Sequence, residues 1–408
     1  MRITYSKQII RNYITDIGIS FVLIGVPLSM YLNYYFPVIV WSPVIMASSV
    51  VLIISYKNLF NLRLPLSSRI GSAIALFQLL MIIYGVFSDN MNSSYLSFHL
   101  YIIALFIALS TNPPRSSYQS TKTWIYIISS IATSLGAYTL IKGLISENTI
   151  FSYRENDENS IIDLLTMSYG FLINFIASLF MLGKNKTINI LALLFIATDI
   201  YLMLFLGKRT SILIAFLSFI LFIYIQPNFK LDILRVFFYS CILIILFIII
   251  YTTNNQIKEQ VDSVFLNIYL GIGVIFGNVE TDLYGSAISR VNLRNSAYEM
   301  INSDFNLFNL LFGKGYMTIE LDNPLLQSYV DMGIIGFILF FVLIVLYPIW
   351  IFIKSFKLDN SSIIYFYIFT IYNTLSAYHS GIPYAYIKYT PILLLAFIVR
   401  SNKYLNIQ

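Results

Sequence analysis

Long stretches with hardly a charge recur from one end of this chain to the other. "IGISFVLIGVPLSMYL" (17–32) and "GIIGFILFFVLIVLYPIWIFI" (333–353) are two of them. An α-helix needs about 20 such residues to cross the hydrocarbon of a bilayer. A soluble domain cannot bury so many runs at once, and the bulk composition agrees. The 408 residues are 58% hydrophobic and only 11% charged, with a mean hydropathy of +0.78; soluble domains are roughly a quarter charged. In lipid every backbone amide must be satisfied within the protein, so runs of this length fold as helices. The expected fold is all-α, a polytopic transmembrane helical bundle.

Twelve spans can be read, at 13–34, 37–55, 70–88, 94–110, 124–142, 161–182, 188–206, 211–226, 236–252, 328–353, 362–379 and 385–399. The first is expected to be a span and not a cleaved signal, because it is long, carries Pro27 and lacks a small-residue cleavage site. The apolar stretch from 188 to 226 is too long for one crossing, so "GKRT" (207–210) is expected to be its turn. The remaining connections are short, except for 253–323. The organisation is thus one bundle with one external cap: 1–252 with nine spans, the large loop 253–323, and 324–408 with three more. No internal repeat or low-complexity segment interrupts it.

Lys and Arg accumulate in short cytoplasmic loops. Arg2, Lys7 and Arg11, then Lys57, Arg63 and Arg69, Arg115 and Lys122, Lys184 and Lys186, Lys230 and Arg235, Lys354 and Lys357, and Arg400 and Lys403 all fall on one side of a twelve-span chain. Both termini are then cytoplasmic. The opposite side has "SDNMNSS" (88–94), without a basic residue, and "SENTIFSYRENDENS" (146–160), acidic apart from Arg154. Trp41, Trp124 and Trp350 sit at span ends, as interfacial aromatics do. The single cysteine, Cys241, can form no intramolecular disulfide, and two histidines with one cysteine argue against a His/Cys metal site.

Lys208 and Arg209 are the main exception to this charge pattern. They fall at the outer surface, in a tight turn. Two accounts are open: long basic side chains snorkelling to headgroups, or a binding site for an anionic group held at the outer leaflet.

Within the large loop, "SAISRVNLRNSAYEMINSD" (286–304) reads as a helix with Ser286 as a candidate cap. Arg290 and Arg294 are four apart and share a face. Ile288, Val291, Tyr298 and Ile301 lie largely on another, which makes the helix amphipathic and suited to the outer rim of the bundle. The two arginines either meet headgroups or Glu299, or bind a ligand. Further on, Glu320 and Asp322 precede Asn323-Pro324, a cap followed by a proline in the first helical turn. Asp322 either supports that cap or is a carboxylate of the reaction centre. His379 stands at the outer end of the eleventh span, near Lys388, and His99 lies in the fourth. A lone histidine of this kind is most often a hydrogen-bonded structural residue.

In these stretches the chain resembles the O-antigen polymerase and ligase superfamily of membrane glycosyltransferases. Such chains have about twelve spans and one large periplasmic loop in the second half. Lys208-Arg209-Thr210 stands where the family has an arginine turn after a span. Arg290 stands at the arginine of a later Gly-Arg motif, with Arg294 in place of its tryptophan. Gly313-Lys314-Gly315 matches a Gly-x-Gly, Asp322-Asn323 a His-Asn pair, and Gly333-Ile334-Ile335-Gly336 the element after it. The resemblance covers motifs over roughly 200–345 and topology over the whole chain. Asp322 replaces the histidine tied to ligation onto lipid A core, which favours the polymerase (Wzy-type) branch over the ligases. A lipid-linked oligosaccharide flippase is the other expectation, although no related halves are visible here.

The resemblance implies a multi-pass protein of the bacterial inner membrane that acts on oligosaccharide repeat units carried by undecaprenyl pyrophosphate. The implied partners are that lipid-linked substrate and membrane lipids, with a chain-length regulator and a flippase, and no nucleic acid. No cofactor and no metal are implied, because cationic side chains can take up the pyrophosphate charge. Lys208, Arg209, Arg290, Arg294 and Arg154 are the candidates for that task, since a guanidinium fork pairs with phosphate oxygens. Asp322 or Glu320, with His379 behind them, are the candidates for orienting the attacking hydroxyl and taking its proton.

Overall fold

The computed structural model describes residues 2–56, 69–88, 90–112, 118–145, 164–183, 185–206, 209–225, a few positions between 251 and 274, 286–357, 361–379 and 381–400. Among them the chain is helical, with no strand. The helices are α1 (Arg2–Tyr35), α2 (Trp41–Ile53), α3 (Arg69–Phe87), α4 (Ser93–Ser110), α5 (Gln119–Ile145), α6 (Leu164–Leu179), α7 (Lys186–Phe205) and α8 (Arg209–Ile225). They continue with α9 (Ser286–Asp304), α10 (Leu307–Phe312), α11 (Pro324–Phe341), α12 (Tyr347–Lys357), α13 (Ser361–His379) and α14 (Thr390–Arg400). A π-helical turn at Val342–Leu346 joins α11 to α12, and a 3-10 turn at Tyr386–Lys388 precedes α14.

Among the described residues six helical stretches are long and apolar enough to cross a membrane: Ile10–Tyr35, Arg69–Phe87, Ser93–Ser110, Gln119–Lys142, Lys186–Phe205 and Pro324–Lys354. Four shorter apolar helices accompany them, at Trp41–Ile53, Leu164–Leu179, Thr210–Ile223 and Tyr386–Val399. The protein is therefore a membrane-embedded helical bundle. Most of the expected ninth span, 236–252, lies outside the described residues.

The chain divides into two compact units: residues 1–128 with 293–408, and residues 129–292. The boundaries of the division fall within α5 and within α9.

In the first unit, side-chain bonds gather the helix ends into two groups. At one end the Arg11 guanidinium donates to the Ile53 and Ile54 carbonyls, and Asn112 also donates to Ile53. Buried Asp16 accepts from Ser120 and Thr121, each at 2.6 Å. The Lys122 ammonium lies 5.3 Å from the Tyr365 ring. These contacts collect the start of α1, the ends of α2 and α4, and the starts of α5 and α13. The opposite end of the unit collects the end of α3, the start of α4, the segment 304–323, the end of α13 and residues 381–389, through the bonds described below.

Helix α9 forms where the sequence places it, and its buried stripe takes in Ile301 of the expected apolar face but is centred on Ala297. Ala297 is fully buried against Leu321 and Val330, with Leu293, Met300, Ile301 and Phe305 packed around it. These positions repeat at intervals of three and four, the spacing of one helix face. Tyr298, assigned above to the apolar face, is half-exposed at 50%. The stripe rests on the chain's own 319–330 segment, which offers an apolar surface.

Candidate functional site

A broken helix organises the site. Gly333 has φ +65° and ψ −164°, so α11 is interrupted nine residues after Pro324. Such a φ/ψ pair is open essentially only to glycine. The break frees carbonyls that a continuous helix would use. The Lys314 and Gly315 amides take two of them, donating to Val330 O at 2.9 Å and Asp331 O at 3.1 Å. The two backbones touch so closely that a Cβ on Gly313 would overlap the Asp331 main chain. One on Gly333 would overlap the main chain of Leu311 and Phe312. Gly313-Lys314-Gly315 and Gly333-Ile334-Ile335-Gly336, picked out separately in the sequence, are thus two halves of one contact.

Asp331 is the hub of this contact. It is fully buried. Its carboxylate accepts from the Tyr384 hydroxyl at 2.6 Å and from the Met317 and Thr318 amides at 3.2 and 3.1 Å. The Tyr384 ring stacks on Tyr316 at 4.1 Å, and the Tyr316 hydroxyl meets His99 Nε2 at 3.0 Å. His99 Nδ1 lies 2.6 Å from Gln78 Oε1. With Gln78 Oε1 as acceptor, Nδ1 carries the proton and Nε2 accepts from Tyr316. Burial pushes the phenols of Tyr316 and Tyr384 well above their ordinary range, so both remain hydroxyl donors. Both ring nitrogens of His99 are thus engaged, in keeping with the structural role expected for it.

Asp322 does not cap α11. Asn323 does, accepting from the Leu326 amide at 3.1 Å, with Pro324 in the first turn as expected. Asp322 is half-buried and accepts from the Gly381 amide at 2.5 Å, which ties the start of α11 to the chain just beyond α13. Lys388 is buried beside it. Its ammonium donates to Ser376 at 3.0 Å and lies 4.0 Å from the position a Cβ on Gly381 would take. A carboxylate and an ammonium are therefore held around one glycine, at the end of the unit that carries the 304–323 segment.

The other predicted residues are placed as follows. Glu320 is exposed in the same segment. His379 is the last residue of α13, two positions before Gly381. Arg294 is half-buried on α9 in the first unit, and Arg290 is half-buried one turn earlier in the second. Arg209 begins α8, in the second unit. Lys208 and Arg154 lie outside the described residues.

The second unit holds a buried polar cluster of its own. Asp199, fully buried on α7, accepts from Asn174 at 2.9 Å and from Thr133 at 3.3 Å. Asn174 in turn accepts from Ser129 at 2.8 Å and Ser130 at 3.2 Å. Sequence reading passed over Asp16, Asp199 and the role of Asp331. The available signal was a carboxylate inside an apolar run, which is rare in a membrane helix and calls for a partner. Among the described residues no cluster of His, Cys, Asp or Glu is arranged to hold a metal ion.

No protein-family model matches this sequence, and no curated protein matches it.

Proposed function

We propose that this chain is a membrane glycosyltransferase that polymerises oligosaccharide repeat units, carried on undecaprenyl pyrophosphate, into a surface polysaccharide such as O-antigen. In this reading it has twelve spans with both termini in the cytoplasm, and residues 253–323 lie on the outer face of the bacterial inner membrane. The observation that carries the proposal is the Asp322–Gly381–Lys388 grouping beside the motif-bearing 304–323 segment. The orientation rests on the Lys and Arg pattern of the sequence.

The reaction joins the anomeric carbon of the growing chain to a hydroxyl oxygen of a fresh repeat unit. The carbon–oxygen bond to pyrophosphate breaks, and the hydroxyl proton passes to a base. Asp322 is proposed to orient that hydroxyl and receive the proton, with Lys388 keeping the carboxylate in place. Holding the pyrophosphate, whose charge grows as it departs, is the role that the family resemblance implies for Lys208, Arg209 and Arg290. Fixed donors in a site shielded from water are worth several kcal/mol in such a step.

One observation favours a second reading, a lipid-linked oligosaccharide transporter. Transporters place binding sites at interrupted helices and buried charges, and this chain has Gly333 with Asp331 beside it and a separately buried Asp199. A surface-glycan ladder from a deletion strain separates the readings. Loss of the polymerase leaves single repeat units on the surface, loss of a flippase leaves none exported, and loss of a ligase leaves none attached. Long chains persisting in the deletion strain would exclude the polymerase.

A further inference from the structure

The 304–323 segment contains an element that polymerisation does not use. Helix α10 reads Leu307-Phe308-Asn309-Leu310-Leu311-Phe312 and has no charged residue. Its apolar side chains are turned outward: Leu307 is 75% exposed, Phe308 65% and Leu311 41%. So much uncovered apolar surface on one short helix needs an occupant.

Its position identifies the occupant. The Leu311–Phe312 backbone lies against Gly333, about 13 Å along α11 from Pro324. Tyr84, a turn short of the end of α3, donates its hydroxyl to Phe312 O at 3.1 Å. Both α3 and α11 belong to stretches long and apolar enough to cross a membrane. Their outward residues beside α10 are Ile83 and Val86 on α3 and Ile334, Ile335 and Ile338 on α11, all exposed. Helix α10 therefore continues the outer apolar surface of two spans.

Its backbone is prepared for a medium without water. Asn306 accepts from the Asn309 amide at 2.9 Å, the Gly313 amide donates to Asn309 O at 2.7 Å, and Tyr84 satisfies Phe312 O. At the base of the hairpin the Lys314 ammonium donates to Asp304 at 2.6 Å. That contact holds the Asp304 carboxyl below its ordinary range. An uncharged turn of helix, capped at both ends and with its charges paired at the neck, costs less to face toward hydrocarbon than an uncapped or charged one.

We propose that residues 306–313 form a hairpin inserted into the bilayer, with Leu307, Phe308 and Leu311 in contact with lipid acyl chains and not with water. The proposal stands apart from the reaction assigned above, since any function of the chain is compatible with it.

Spin-label accessibility in lipid nanodiscs tests it. On a Cys241→Ala background, single cysteines replace Phe308, Leu307, Ile335 and Ser303. Each is exposed to oxygen, which concentrates in hydrocarbon, and to a water-soluble nickel chelate. Labels at 308 and 307 should follow 335, with high oxygen access and severalfold lower nickel access than at 303. A label at 308 as open to nickel as the one at 303 would place α10 in water and overturn the proposal. Labels at 307 and 308 shielded from both reagents would mean that protein, such as a second copy of the chain, covers the helix, and would overturn it equally. The two adjacent positions guard against one substitution that disturbs folding, and a matched elution volume in detergent identifies the folded variants.

Discussion

Replacing Gly333 by alanine should damage this protein more than the same change at Gly381, a positive-φ glycine with open space around it. The perturbation adds one methyl group, and two costs follow. The backbone at φ +65°, ψ −164° is essentially closed to alanine, at a cost of about 1–3 kcal/mol. The new Cβ would stand 2.5 Å from the Phe312 nitrogen and closer to the Leu311 carbonyl, and backbone atoms cannot swing aside as a side chain can. Overpacking of that kind adds about 1–3 kcal/mol, for a total of roughly 2–6 kcal/mol. Gly381→Ala provides the control. It has a similar φ of +77°, but its nearest neighbours are the Lys388 Cε and Nζ, both at 4.0 Å. Strain alone remains there, about 1–2 kcal/mol. Thermal midpoints can be followed by fluorescence-detected size exclusion of detergent-solubilised protein. At about 1 °C per kcal/mol for a chain of this length, Gly333→Ala should melt about 2–7 °C lower than the parent and Gly381→Ala about 1–2 °C lower. If Gly333→Ala melts no lower than Gly381→Ala, α11 is not broken against the 311–313 backbone, and the account of the site built on that contact fails.

Asp331→Asn should reduce the yield of folded protein, because it removes an acceptor from the three donors that converge on that carboxylate. Asp322→Asn should keep the Gly381 bond and the fold yet lower chain extension; equal glycan ladders for Asp322→Asn and the parent would leave Asp322 a tether only. Arg209→Ala should insert normally and slow transfer more than a hundredfold, corresponding to about 3 kcal/mol of lost leaving-group stabilisation. Arg209→Lys should restore only part of this, since an ammonium cannot make the two-pronged contact; full activity in the alanine variant would reduce the turn to headgroup contact. Reporter fusions should place residue 300 outside the cytoplasm and residue 358 inside, and a cytoplasmic signal at 300 would invert the orientation.

Some of the helix limits were legible in the sequence alone. A span is a contiguous apolar run whose length is set by bilayer thickness, so α3 at Arg69–Phe87 and α4 at Ser93–Ser110 fall within a residue or so of the stretches 70–88 and 94–110. The start of α11 was legible for a local reason too, since Asn323 and Pro324 act on amides within one turn. Which faces meet was not legible. These helices are apolar on nearly every side, so no polar stripe separates the face toward lipid from the face toward protein. That α9 buries Ala297 was not legible either, because its covering surface, Leu321 and Val330, is formed by a later part of the chain.

The same reason hides the site. The Tyr316–His99 bond joins residues 217 positions apart, and Tyr384–Asp331 spans 53. Two glycine motifs stood in plain view, but that each glycine makes room for the other's backbone follows only from the packing of 311–313 on 331–333. Local chemistry marks where a membrane chain turns and caps, because those interactions close within a few residues. The pairing of its buried carboxylates is a property of the folded bundle, since their partners come from distant segments.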